Sequence, residues 1–156
     1  MLPRLFPTEH YDHAISEYVG LVDMWKELLP TAERKEGIAF LRLMINRCQC
    51  SIMHTKSLQT LDELALIYDY ENPVPPTAEQ IEKASEIIAR ARDYAQQYIR
   101  LYGSYLPDRG GEGLLVNYIA TTPVFIDAVA ANFGNGTVVE LDDVYDAPPM
   151  PDSDVG

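Results

Sequence analysis

The last third of the chain lacks basic residues altogether. Residues 110–156 contain no Lys or Arg and eight Asp or Glu, whereas residues 1–109 contain all 12 basic residues and 16 acidic ones. The net charge of −12 is therefore concentrated toward the C-terminal end. A nucleic-acid-binding protein needs a basic face that neutralises phosphates, and binding to an anionic membrane also needs basic residues. The composition argues against both classes of partner.

Long apolar runs and pairable cysteines are missing as well. No run of about 18 apolar residues occurs, so no membrane-spanning helix is predicted. Residues 1–7 are too short and too interrupted by proline for a signal peptide, and we expect a cytoplasmic protein. The two cysteines, Cys48 and Cys50, would lie about 200° apart on a helix. They are therefore expected to be reduced core thiols that share neither a disulfide nor a metal.

Apolar residues recur at alternating spacings of three and four in three long stretches, which predicts amphipathic helices. The first stretch begins after an N-cap at Thr8 and the second after an N-cap at Thr31. The third begins at a capping box formed by Thr77 and Gln80, and it has the most regular repeat. The second pattern fades near residues 56–57.

Shorter elements are predicted between and after these helices. Thr60 and Glu63 form a second capping-box pattern, which predicts a short helix. Residues 114–120 are compatible with helix or strand, and we favour helix because the rest of the chain is helical. Thr122 followed by Pro123 predicts the start of a separate last helix.

The predicted fold is all-α, an antiparallel bundle of three to four main helices with additional short helices. Residues 1–7 are assigned to an extended N-terminal arm and residues 8–134 to the helical bundle domain. Residues 135–156 are assigned to an extended, acidic, proline-rich tail, within which residues 137–141 are compatible with a short strand.

His10, His13 and Glu17 have the spacing of one helical face and the chemistry of Zn or Fe ligands. Their common direction lies about 130° from the apolar stripe of the same helix. That direction favours a solvated face, whereas metal sites in helical bundles project their ligands into the core. Metal binding at these residues is therefore kept only as an alternative.

Cys50 and His54 are four residues apart and could form a nucleophile–base pair. No third residue that would orient the histidine is recognisable, so a buried thiol beside a partly buried histidine is the favoured interpretation.

The segment Asp108-Arg109-Gly110-Gly111-Glu112-Gly113 is predicted to be a turn between helices, because helix ends favour glycine. Two alternatives stay open at this loop. Asp108 and Glu112 could act as an acid–base pair, and backbone amides next to Arg109 could hold an anion. The phosphate-loop motif is absent, because no Lys followed by Ser or Thr is present in the segment.

A helix rich in Ala, Tyr and Arg precedes this segment, and Leu114-Leu115 and Asn117-Tyr118 follow it. Over residues 85–120 the pattern resembles helical C-terminal regions of large multidomain glycoside hydrolases. The catalytic barrel of such enzymes is absent, so the resemblance implies an accessory helical module and assigns no functional residue.

The acidic tail combines carboxylates with prolines and a few apolar side chains, a composition typical of segments that become ordered on a protein partner. The predicted partner-binding residues are Asp142, Asp143, Tyr145, Asp146, Pro148, Pro149 and Met150. A solubilising disordered end is the alternative interpretation.

These features favour a non-catalytic assembly or adaptor protein that docks onto a larger complex, such as a viral or phage particle, through its bundle surface and its tail. Its partner would be another protein or further copies of the chain, with no nucleic acid, no membrane and no cofactor. The alternatives are an accessory module of a carbohydrate-active enzyme and an acidic inhibitor that mimics nucleic acid.

Overall fold

The computed structural model describes residues 7–69, 74–106, 109–131 and 133, and the regular elements in that part of the chain are all helical. The elements are α1 (Thr8–Leu28), a 3-10 turn (Leu29–Thr31), α2 (Lys35–Asp62), a one-turn α3 (Leu64–Ile67), α4 (Ala78–Gly103) and α5 (Arg109–Ala131). The predicted all-α bundle is confirmed.

Successive long helices pack against each other in the order α1, α2, α4, α5. The pairs are antiparallel. Tyr11, near the start of α1, bonds Asp62 at the end of α2. Asn46, in the first half of α2, bonds the Leu101 carbonyl near the end of α4. Arg92 of α4 bonds Asp127 near the end of α5. The helices α2 and α4 therefore lie in the middle, and α5 packs mainly on α4, with further side-chain contacts to α2.

Three groups of buried side chains hold the helices together. Val22, Cys48 and Ile52 join α1 to α2. Cys50 of α2, with side chains of α4 and α5, forms a second group. The largest group contains the small side chains of α4 between the end of α2, α3 and α5. Its members are Leu61, Leu64, Ala84, Ile87, Ile88, Ala91, Ala95, Ile126, Val129, Ala130 and Phe133.

The two cysteines lie on opposite sides of α2, as their spacing predicts. Cys48 faces α1 and Cys50 faces α4 and α5, and both are buried free thiols. The capping box of Thr77 and Gln80 is also confirmed. The Thr77 amide donates to Gln80 Oε1 at 2.8 Å, and the Gln80 amide donates to Thr77 Oγ1 at 3.2 Å.

Three other predicted N-caps are wrong. Thr8 is the first residue of α1 and Pro7 occupies the cap position without a side-chain bond. Thr31 belongs to the 3-10 turn and donates to the Leu28 carbonyl, while α2 begins at Lys35. Thr60 is a buried residue inside α2, which continues to Asp62. Burial of Thr60 and Leu61 keeps this turn helical although its sequence has the signature of a cap.

Residues 114–120 are helical, as favoured, but no separate helix begins at Thr122. The helix α5 is continuous and contains Pro123 in its interior. Proline removes one backbone hydrogen bond there. The buried residues Leu115, Ile119 and Ile126 lie at spacings of four and seven on one stripe, so packing against the bundle favours an unbroken helix.

The predicted extended segments fall outside the described residues. These are residues 1–6 of the N-terminal arm, the 137–141 segment and the whole tail from residue 135. The arm, the short strand and the tail therefore stay predictions.

Ala91 has no exposed surface, and its carbonyl accepts a hydrogen bond from Ser57 Oγ at 3.1 Å across the α2–α4 contact. Replacing Ala91 by leucine inserts three carbon atoms where the two helices already touch. We expect A91L to lower the free energy of unfolding by about 1–3 kcal/mol. Urea denaturation followed by circular dichroism measures this change.

Ala89 lies on the same helix and is exposed, so A89L is the matched control. It should change the free energy of unfolding by less than about 0.5 kcal/mol. Equal effects of the two substitutions would show that α2 and α4 do not meet at Ala91.

Candidate functional site

The histidine–glutamate face of α1 is solvent-exposed. His10, His13 and Glu17 all lie exposed in the first half of the helix, in the direction that their spacing predicts. Among the described residues, no three His, Cys, Asp or Glu side chains come together in a way that could hold a metal ion. The arrangement therefore offers ligands from one helix alone, without a second element to complete a coordination shell.

The glycine-rich segment is not a loop. Gly110 to Gly113 form the first turns of α5, and Asp108 and the side chain of Arg109 lie outside the described residues. Glu112 is half-buried on the helix. The glycines lower helix propensity, but Gly111 is buried and Leu115 of the next turn packs beside Gly103 of α4. Packing at this end of the bundle thus extends the helix through the predicted turn.

Cys50 and His54 do share a buried face of α2, in contact with tyrosines of α4 and α5. The His54 ring packs edge-on against Tyr98 and Tyr118, with centroids 6.2 and 5.6 Å apart. The two tyrosine rings stack on each other with centroids 3.7 Å apart. These contacts fill the space that a substrate of a Cys–His pair would require.

Burial also disfavours the protonation states that catalysis by Cys50 and His54 would require. It raises the pKa of the Cys50 thiol to about 11, so the reactive thiolate is scarce at neutral pH. It raises the pKa of Tyr98 to about 12 and that of Tyr118 further. Burial lowers the pKa of His54, which favours its neutral form. The favoured interpretation, a buried thiol beside a partly buried histidine, agrees with this geometry.

A polar network next to Cys50 joins α2 to the end of α4. Asn46 donates to the Leu101 carbonyl at 2.5 Å, and Arg47 donates to Asn46 Oδ1 at 2.7 Å and to the Tyr105 carbonyl at 3.1 Å. The Arg47 guanidinium also lies 3.5 Å from the ring centroid of Tyr102. Every one of these groups has a partner inside the protein, which indicates a structural role for the network.

The outer face of α5 is exposed to solvent. It consists of a single stripe of exposed residues at helical spacing, Leu114, Asn117, Thr121, Val124, Phe125 and Ala128. Leu114 is 63% exposed, Val124 52% and Phe125 41%. None of the six is charged. Three of them, Leu114, Val124 and Phe125, are large apolar side chains, so the stripe is a candidate binding surface.

The two carboxylates of α5 lie beside this face. Asp127 accepts two hydrogen bonds from Arg92 of α4, and Glu112 is half-buried near the start of the helix. The other long helices carry exposed carboxylates, for example Asp12 on α1, Glu36 on α2 and Glu82 on α4. Basic residues such as Arg42 on α2 and Arg100 on α4 are exposed as well. The outer face of α5 therefore interrupts an otherwise charged surface.

By length and composition alone, Gly110–Ala131 is also long and apolar enough to cross a membrane, and it is the one such helix in the described part of the chain. This helix is not one continuous apolar run in the sequence, because Asn117, Thr121 and Thr122 interrupt it. One third (33%) of that window is buried inside the bundle. The signal that reveals the site in the sequence is the absence of charge between Glu112 and Asp127.

Neither a known family model, nor a curated protein, nor a solved structure matches the chain.

None of the described residues forms a hydrogen bond with His54 Nδ1. Burial depresses the pKa of His54 in the folded protein, so the unfolded chain, whose His pKa is about 6.5, binds the proton more strongly. The free energy of unfolding is therefore expected to fall as the pH is lowered below about 6.5, down to the folded-state pKa. Urea denaturation between pH 7.5 and pH 5 measures this dependence.

The variant His54→Gln lacks the titrating ring and should lose this part of the pH dependence, whereas H13Q, at an exposed position on α1, should keep it. A wild-type stability profile that H54Q leaves unchanged would contradict the assignment. The thiol and phenols around His54 do not compete in this window, because burial raises the pKa of Cys50 and of Tyr98 far above it.

Proposed function

We propose that this protein is a non-catalytic helical adaptor that docks the outer face of α5 into an apolar groove of a larger protein assembly. The exposed, uncharged stripe of α5 carries this proposal. An amphipathic helix that lays apolar side chains into a groove is a recurring mode of protein recognition, with anchors at helical spacing. Leu114, Thr121, Val124 and Phe125 supply such anchors.

The size of the stripe favours a groove over a second copy of the chain. From Leu114 to Ala128 it is about 21 Å long, and a helix about 10 Å wide presents roughly 200 Å² in a flat contact. Stable interfaces bury about 800 Å² on each partner. A groove gains area because its walls reach the sides of the helix, including the 56% exposed Val116.

Insertion of α5 into a membrane would require a larger change. Ile126, Val129 and Ala130 on its inner side are buried against the bundle, so a spanning helix would have to leave that core. An apolar helix lying on an anionic membrane is usually flanked by several Lys and Arg, whereas α5 has one basic residue, Arg109 at its start, and residues 110–156 contain none. A protein groove can cover the outer face of α5 while its inner side stays packed against the bundle.

The net charge of the chain predicts a further property of the partner. The chain carries a net charge of −12, of which −8 belongs to residues 110–156, and α1 has five acidic residues against one basic residue. A groove bordered by basic side chains would attract the chain during approach and would give an association rate that falls with salt. The acidic tail at residues 142–150, which lies outside the described residues, is predicted to be a second acidic contact with the same partner.

Photo-crosslinking in the source cells tests the proposal. A benzophenone side chain at Phe125 should crosslink to one protein repeatedly, whereas the same group at Val19 should not. Val19 is the matched control, because it is an exposed apolar residue of α1 with a similar accessible fraction, 44% against 41%. Crosslinks of equal yield from the two positions, or none from Phe125, would contradict docking through α5.

Binding of the purified partner then measures the contribution of the face. V124E places a carboxylate in the apolar groove without a partner, and we expect it to weaken binding at least tenfold, about 1.4 kcal/mol. V19E introduces the same charge on α1 and should change the dissociation constant less than twofold. A crosslinked homodimer, in place of a heterologous complex, would identify further copies of the chain as the occupant.

A further inference from the structure

A cleft of about 370 Å³ lies where the first turns of α1, the last turns of α2 and the middle of α4 meet. Its volume lies in the range of small-molecule sites. Its walls include Tyr11, Lys56, Asp62, Leu66, Arg90 and Tyr94. No described residue of α5 lines it, so its chemistry is independent of the proposed docking face.

Two of the four charges in the cleft neutralise each other. Arg90 Nη2 lies 2.5 Å from Glu63 Oε2, which forms an ion pair between α4 and the end of α2. Among the described residues, Lys56 and Asp62 form no ion pair. The ammonium of Lys56 lies 5.6 Å from the ring centroid of Tyr94. The cleft therefore keeps one positive and one negative charge for a ligand.

The Asp62 carboxylate is already oriented. Its Oδ2 accepts a hydrogen bond from the Tyr11 hydroxyl at 2.8 Å. Burial and the neighbouring Asp62 raise the pKa of Tyr11 to about 12, so the phenol stays protonated and continues to donate. A neutral donor fixes the carboxylate without cancelling its charge, and Asp62 Oδ1 is left to accept a bond from a ligand.

The two charges come from one stretch of α2 and line the same cleft. The backbone positions of Lys56 and Asp62 are six residues apart, about 9 Å along the helix axis, and the flexible Lys56 side chain can adjust the separation of the charged groups. A molecule that carries its own carboxylate and ammonium can bridge them with two charge-assisted hydrogen bonds. The rings of Tyr11 and Tyr94 and the exposed Leu66 provide apolar surface beside this axis.

We propose that this cleft binds a free α-amino acid with an aromatic or large apolar side chain, with its carboxylate on Lys56 and its ammonium on Asp62. A simple anion uses only Lys56 and meets the Asp62 carboxylate, and a simple cation meets Lys56. Only a zwitterion satisfies both charges.

Isothermal titration of the full chain with L-phenylalanine tests the site. N-acetyl-L-phenylalanine lacks the ammonium and L-phenylalaninamide lacks the carboxylate, and each is expected to bind at least tenfold more weakly than the free amino acid. Absence of saturable binding of L-phenylalanine would overturn the proposal. Equal affinity for the N-acetyl compound would reduce the cleft to an anion site and would overturn it as well.

The variants K56M and D62N should each weaken L-phenylalanine binding at least tenfold. In D62N the amide oxygen can still accept the Tyr11 hydrogen bond, so the local fold is retained. K83M is the matched control, because Lys83 pairs with Glu79 on the exposed side of α4, outside the cleft. Unchanged affinity in both cleft variants would refute the site. If either variant unfolds, the affinities of N-acetyl-L-phenylalanine and L-phenylalaninamide for the wild-type protein still test the proposal.

Discussion

The close contact between α2 and α4 is the constraint on which the rest of the structure depends. Ala84, Ala91 and Ala95 are buried on α4, and at Ala91 the backbone of α4 comes within hydrogen-bond distance of the Ser57 side chain of α2. A methyl group is the largest side chain that such a contact admits without displacing the helices. The pair then presents one side to α1 and another to α5. The positions of both outer helices, and of the sites on them, follow from this contact.

Polar groups fix the axial position of α2 along α4, a degree of freedom that alanine packing alone leaves open. Asn46 is buried and finds its acceptor at the Leu101 carbonyl, while Arg47 reaches the Tyr105 carbonyl. A shift of one helical turn would leave these buried groups without partners, which is costly. This register brings Lys56 and Asp62 of α2 beside Tyr94 of α4, so the charged cleft depends on the same network.

The sequence is sufficient to predict helices wherever one apolar stripe dominates, and it fails where local signals compete with packing. Thr77–Gln80 and Thr60–Glu63 have the same capping-box pattern, yet only the first is a cap. Thr77 is exposed, whereas Thr60 is 4% exposed within the core side of α2. Pro123 likewise gives a valid start signal that the apolar stripe of α5 overrides. Such outcomes are decided by neighbours from other helices, which the local sequence does not contain.

The candidate sites were harder to predict than the helices, for a related reason. The cleft combines Tyr11, Lys56, Asp62 and Tyr94 from three helices, and nothing in the sequence links residues so far apart. The predicted His10–His13–Glu17 group, by contrast, depends on one helix, so its exposure could be derived from the helical period alone. The outer face of α5 is an intermediate case, because only one of its two properties can be predicted from the sequence. Its lack of charge is visible in the sequence, but its exposure requires knowing that α4 and α2 cover only the opposite side.

Charge and apolar surface in this protein have complementary effects. An exposed stripe such as Leu114–Val124–Phe125 would by itself promote aggregation. The net charge of −12 opposes it, because any two copies of the chain repel each other at long range. A basic partner reverses the sign of this long-range force and leaves the short-range apolar contact intact. The acidic composition and the uncharged helix face can therefore be understood together, as repulsion from identical copies combined with attraction to a different protein.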